Sequence, residues 1–196
     1  RIFCGQRRVR GHLIPQSLVA HAGWEMAGRL RYARIMRIAV HPQMQGHGLG
    51  SRLLEAIGHS DAVRDADFLG ASFGVDLPLL RFWQRNGYTP VRVGLKREAS
   101  SGMHAAILLK AVSNQAPRML ERLNTHFAEL LSLQLAHSLD DLAPEVVTAL
   151  LQPGVGAGAG SARSGMNDRD WSELIAFAFA QRGFETSLVA IQRWFV

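Results

Sequence analysis

The chain has 196 residues, 47% of them hydrophobic, and a formal net charge of +6; it holds one medium domain or two small ones, and its charge points to a polyanionic partner or to a surface spelled in arginine. Its single cysteine, Cys4, excludes a disulfide framework and a cysteine-based zinc site, and reads as a small buried hydrophobe on a strand. No apolar run approaches the ~20 residues of a bilayer span, so no membrane is expected, and the opening at Arg1, without Met or signal sequence, reads as that of a cytoplasmic fragment of a longer protein.

In chain order, residues 1–4 look like the remnant of a strand and 6–11 like a basic turn. Residues 12–21, mixed around Pro15, stay open between strand, loop and short helix. The run 35–40 predicts a strand that Pro42 stops. A glycine-rich turn over 46–50 leads into a helix over 51–57, with Leu53, Leu54 and Ile57 on one face. Residues 66–73 predict a second apolar strand, ended by Gly74. Asp76 caps a helix over 77–86, and Gly87 stands at its C-terminal stop. Strands over 91–96 and 104–112 complete a β-α-β-α-β-β order.

The composition changes after Ser113. Pro117 suits a first helical turn, and Leu120, Leu123, Phe127, Leu130 and Leu131 predict an amphipathic helix over 118–136. Residues 139–151 predict another, with Pro144 near its start or at a break. The glycines between 152 and 165 read as a linker or surface loop. Asn167 or Asp168 caps a helix over 171–181, Gly183 breaks it, and 185–195 form one more. Residues 1–113 thus read as one domain and 114–196 as a small all-helical tail.

The turn after the first strand carries the chemistry. A helix begins there whose first-turn amides have no intrahelical partner and whose dipole favours negative charge. Glycines let the backbone approach a bulky anion, so phosphate or pyrophosphate is the natural ligand, against the plain alternative of a glycine-rich turn with none. Three phosphate-loop patterns compete. A Walker loop needs a Gly-Lys pair, and the chain has none. A dinucleotide fingerprint starting at Gly46 and Gly48 meets Ser51 where its third glycine belongs, although Asp67 stands near the expected acidic position. The pattern Gln/Arg-x-x-Gly-x-Gly/Ala is filled by Gln45, Gly48 and Gly50.

That last pattern resembles the coenzyme A pyrophosphate loop of the GNAT superfamily. The preceding Arg37-Ile38-Ala39-Val40-His41-Pro42 and the later Phe82-Trp83-Gln84-Arg85-Asn86-Gly87-Tyr88 resemble the same superfamily. The implied fold is the α/β GNAT acetyltransferase fold, a mixed central sheet flanked by helices, truncated at its N-terminus and followed by the all-α tail. Those segments, with Ser72-Phe73-Gly74, residues 97–102 and residues 170–194, resemble more narrowly the bacterial tRNA(Met) cytidine acetyltransferase family.

The resemblance implies acetyl-CoA-dependent N4-acetylation of the wobble cytidine of elongator tRNA(Met). It also implies ATP or GTP hydrolysis in an upstream domain outside this chain, which leaves turnover by the fragment open. Carried over, the backbone of Ile38, Ala39 and Val40 lines the pantetheine arm. Gln45, Gly46, His47, Gly48, Leu49, Gly50 and Ser51 hold the pyrophosphate, and Arg85 meets the nucleotide phosphates or is simply an exposed helical arginine. The family's glutamate near the start of that helix is Pro78 here. Trp83 stands where many GNAT enzymes place a proton-donating tyrosine, and an indole N–H is no useful acid. His41 is read as a turn former ahead of an acid; Glu98 either accepts a proton or pairs with Arg97. No catalytic acid or base is assigned and no metal is expected. Cytidine N4 is a poor nucleophile, so positioning should dominate, with an amide freed by splayed strands, that of Val40, aimed at the developing oxyanion.

In the tail, some of Arg163, Arg169, Arg182 and Arg193 are expected to supply phosphate contacts, while Trp171, Phe177, Phe179 and Trp194 are expected to form the tail's own core. The alternatives are a GNAT acetyltransferase acting on a protein or small amine, and a non-catalytic RNA-binding module.

Overall fold

A computed structural model describes residues 1–99, 101–152 and 165–195. The glycine-rich linker expected over 152–165 falls almost wholly outside them. Four strands form one mixed sheet: β1 (Tyr32–Ile35), β2 (Phe68–Gly74), β3 (Thr89–Arg97) and β4 (His104–Ala111), in the spatial order β1-β2-β4-β3. β1 runs parallel to β2, and β2–β4 and β3–β4 are antiparallel. Helix α1 (Leu13–His21) precedes β1, which settles the stretch around Pro15 as helix. The glycine turn enters α2 (Leu49–Gly58), and α3 (Leu77–Arg85) connects β2 to β3. Then come α4 (Ala116–Gln134), α5 (Pro144–Leu151), α6 (Asp168–Phe179) and α7 (Leu188–Phe195).

The period of two along the strands sorts the core onto two faces. On one face Leu69, Ala71, Ala106 and Leu108 pack with Leu54, Leu80 and Trp83, and also with Phe127 and Leu131 of α4 and Val146 and Leu150 of α5. On the other face Phe68, Ile107 and Leu109 pack with Phe3, Ile14 and Leu18 of the N-terminal segment, Leu123 of α4 and Ala176 of α6. Both apolar clusters therefore draw on residues before and after Ser113. Asn124 of α4 adds a buried hydrogen bond, its Nδ2 donating to Pro90 O at 2.8 Å.

Two expectations are corrected. Residues 1–4 form turns rather than a strand: Phe3 is buried against α1, and the Cys4 carbonyl accepts from Gln181 N at 3.0 Å instead of from a neighbouring strand. Cys4 is accordingly half-buried and off the sheet. The strand expected over 35–40 keeps its ladder only as far as Ile35, paired with Ala71. β1 has a single neighbour, and beyond Ala71 that neighbour pairs only with β4, so Met36 to Val40 have no ladder to join.

Candidate cofactor site

The parting of β1 from β2 opens the site. Residues 36–40 run on past the end of the ladder, and the Val40 amide donates to no acceptor among the described residues. Pro42–Met44 turns through a short 3-10 helix, in which the His41 ring accepts from Gln43 N at 3.4 Å; this is the turn-forming role. Gln45 then reaches back, its Nε2 donating to Val40 O at 3.1 Å, and closes the loop on the strand it left. Gly46 and Gly48 take φ of 80° and 75°, a left-handed conformation that suits glycine. Gly48 is the N-cap of α2, and its carbonyl accepts from Arg52 N at 3.0 Å.

Six successive amides, from Gly46 to Ser51, donate to no protein acceptor among the described residues. A Cβ on Gly46 or Gly48 would meet nothing within 4 Å, so the backbone there is bare to solvent. Gly50 differs: a Cβ on it would lie 3.0 and 3.1 Å from ring atoms of Phe82. The missing methyl lets α2 and α3 approach.

Between the turn and α3 lies a cleft of about 750 Å³, within the size range of small-molecule and cofactor sites. The structure brings ten of the eleven residues carried over by resemblance to its wall: Ile38, Ala39, Val40, Gln45, Gly46, Gly48, Leu49, Gly50, Ser51 and Arg85. His47 is not among them; it turns outward, its Nδ1 2.9 Å from Gln45 O. Gln45 lines the wall with its side-chain amide already committed to Val40.

The sequence reading missed Met44, Asp76, Leu79 and Phe82 on this wall. Helical spacing held the signal for α3: Pro78, Leu79, Phe82 and Arg85 share one face, while Leu80 and Trp83 face the core. Asp76 caps α3, accepting from Leu79 N at 2.7 Å, and brings a carboxylate to the cleft two residues before Pro78. Trp83 is 3% exposed and packs against Phe73, Phe82 and Tyr88, with no place on the cleft wall. Burial pushes the neighbouring Tyr88 hydroxyl up to about 12, so it holds its proton at neutral pH. The pairing of Glu98 with Arg97 does not form. Arg97 Nε donates to Asp141 Oδ2 at 2.7 Å, and the other carboxylate oxygen of Asp141 lies 2.9 Å from Nε2 of buried His104.

The tail reverses its expected polarity. Arg163 lies outside the described residues, and the other three arginines point inward. Arg193 grips Asp170 with both contacts at 3.0 Å and Glu129 at 2.8 Å. Arg182 is buried, donating to the carbonyls of Phe3, Ala20 and Thr186, with Glu173 at 3.7 Å. Arg169 reaches the ring of His126 at 2.6 Å and lies over that of Trp24. The aromatics expected inside stand outside: Trp171 is 50% exposed, Phe179 87% and Trp194 58%. Buried carboxylates draw the cations in: Asp170 accepts from Arg193, and Glu173 lies 3.7 Å from both Arg169 and Arg182.

These features amount to a run of unpartnered amides at a helix start, beside parted strands of a mixed sheet and open to a cleft. A family model described as GNAT acetyltransferase 2 matches residues 2–61 and 57–113, and one described as a tRNA-binding domain matches 110–195. The chain belongs to the GNAT acetyltransferase family. It is similar to the tRNA(Met) cytidine acetyltransferases TmcA of Nitrosococcus halophilus (43% identical over 95% of this chain and 24% of that protein), Citrobacter koseri (37%, over 98% and 26%) and Methanopyrus kandleri (36%, over 74% and 17%). The chain spans about a quarter of the length of the first two of these relatives. Among the described residues no helix is long and apolar enough to cross a membrane.

Proposed function

We propose that this chain carries the acetyl-CoA site and part of the RNA-binding surface of an enzyme that acetylates N4 of the wobble cytidine of elongator tRNA(Met). The observation that carries the reading is the run of six unpartnered amides around Gly48, five of whose residues line a cleft of cofactor size. Acetyl-CoA supplies an acetyl group activated as a thioester. The cradle from Gln45 to Ser51 would hold its diphosphate, with Gln45 bracing the loop and His47 outside it. The free edge of Ile38, Ala39 and Val40 would take the pantetheine amides in strand-like pairing, and the Arg85 guanidinium stands ready for the nucleotide phosphates.

Asp76 and Arg85 are the only titratable side chains on the described cleft wall, and Asp76 is engaged in capping α3. Rate enhancement therefore rests on holding the cytidine amine in place and on the Val40 amide, rather than on a side-chain acid or base at this wall. Hydrolysis of ATP or GTP, which the resemblance assigns to an upstream domain, lies outside this chain. The cytoplasm, where tRNA(Met) is handled, is the expected compartment.

The test is calorimetry with acetyl-CoA and with NAD, followed by transfer of labelled acetyl to tRNA(Met), a polyamine and a histone peptide. Acetyl-CoA should bind and NAD should not, and any label transferred should be on cytidine of the RNA. NAD binding alone would overturn the cofactor assignment; label on the polyamine or peptide alone would overturn the substrate.

A further inference from the structure

We propose that the outer face of α6 and the basic turn at residues 6–11 form one binding surface for unpaired RNA, with the helix stacking bases and the turn holding phosphates. The inference rests on the reading of the chain as RNA-binding. Helix α6 is amphipathic in an inverted sense. Its inner face carries Asp170 and Glu173, both fully buried, and its outer face carries Trp171, Ile175 and Phe179 at i, i+4 and i+8. These three side chains are 50%, 57% and 87% exposed, in a row about 12 Å long at 1.5 Å per residue. The ion pairs of Arg193, Arg182 and Arg169 with the inner carboxylates and Glu129 fix this orientation, so the aromatics cannot rotate inward without stranding charge. A built, contiguous apolar row on a surface marks an interaction site.

Charge selects the occupant. The internal pairs absorb three arginines and three carboxylates and leave the excess of +6 on the rest of the chain. Both acidic side chains between residues 170 and 181 are buried, which leaves Asp168, in the first turn, as the one exposed carboxylate of α6. The Cys4 carbonyl accepts from Gln181 N at 3.0 Å, just past the end of α6, and Gly5 lies against the Gln181 carbonyl so closely that a Cβ would not fit. That contact sets the start of the basic turn beside Gln181, two residues past Phe179 at the end of the apolar row. Arg7, Arg8 and Arg10 on this turn are exposed and form no ion pair among the described residues. Aromatic faces flanked by free guanidinium groups fit single-stranded RNA, whose bases stack and whose backbone is anionic. The match of residues 110–195 to a tRNA-binding domain agrees with that occupant rather than with a protein.

The test uses the full chain and labelled tRNA(Met), with affinity read by fluorescence anisotropy across a salt series and oligomeric state by sedimentation. Trp171→Ala/Phe179→Ala should weaken binding about tenfold or more while leaving the salt slope unchanged, because stacking neutralises no phosphate. Trp171→Phe/Phe179→Tyr should restore most of the affinity. Arg7→Gln/Arg8→Gln/Arg10→Gln should lower the slope by about 2. Unchanged affinity in the double alanine variant, with wild-type chain binding normally, overturns this surface alone. A change in its oligomeric state without loss of RNA affinity would assign the face to protein contact instead. Failure of the wild-type chain to bind tRNA(Met) would overturn the RNA reading itself.

Discussion

At the scale of single residues, the cradle depends on two glycines for different reasons. Gly48 has open space at its Cβ position but a left-handed φ of 75°; Gly50 has an ordinary φ but a ring in the way. Gly48→Ala should therefore cost about 1–2 kcal/mol of backbone strain and keep the cleft's width. Gly50→Ala should push Phe82 aside, costing roughly 1–3 kcal/mol, and should weaken acetyl-CoA binding more than Gly48→Ala does. Thermal melts give the first quantity and calorimetry the second; equal losses of affinity would argue against Phe82 as the spacer. The glycine pattern was legible in the sequence because it is local. The commitment of Gln45 to Val40 and the outward turn of His47 were not, since a loop pattern names positions without saying which side chains brace it.

At the scale of elements, α6 shows where periodicity stops informing. Asn167 caps it in a reciprocal box with Asp170, a start signal that the sequence displays openly. Both of its faces recur at helical spacing, one acidic and one aromatic, and hydrophobicity alone puts the aromatics inside. The deciding partners, Arg182 and Arg193, lie further along the chain, and Glu129 lies on α4. Arg193→Met tests this arrangement: it leaves Asp170 and Glu129 facing each other without their cation. A loss of roughly 3 kcal/mol or more in urea unfolding is expected. A loss below about 1 kcal/mol would mean that solvent reaches the pair.

At the scale of the molecule, the faces of the sheet and most helices were legible because alternation and capping are properties of short windows. The sharing of both apolar clusters between the first and second halves was not, because Leu123, Phe127 and Leu131 carry no mark of which neighbours they meet. Two histidines of the packed elements, His21 and His126, are pulled below their ordinary value. Burial, then Arg92, Arg182 and Arg8, pulls His21 down to about 4. His126 is pulled well below its ordinary value by burial and then by Arg169, Arg193 and Arg182, with Glu129 also facing it. Both stay neutral in the folded chain while the unfolded chain protonates near pH 6.5. Their contribution to stability is thus complete above that pH and is lost as pH falls below it, for His21 down to about 4, by up to about 1.4 kcal/mol per pH unit for each histidine. Urea midpoints between pH 7.5 and 4.5 should show this slope, and His21→Gln should flatten it; an unchanged slope in that variant would exclude His21 as a source.

The cleft is anchored from both sides. Gln45 is fastened to Val40 on one wall, and on the other Gln84 Nε2 donates to Ala149 O, securing α3 to α5. On the proposed function, a polyanion arriving there would meet a finished receptor. Its association would then be paced by diffusive encounter rather than by rearrangement, and the chain's surplus of arginine would hasten that encounter most in dilute buffer.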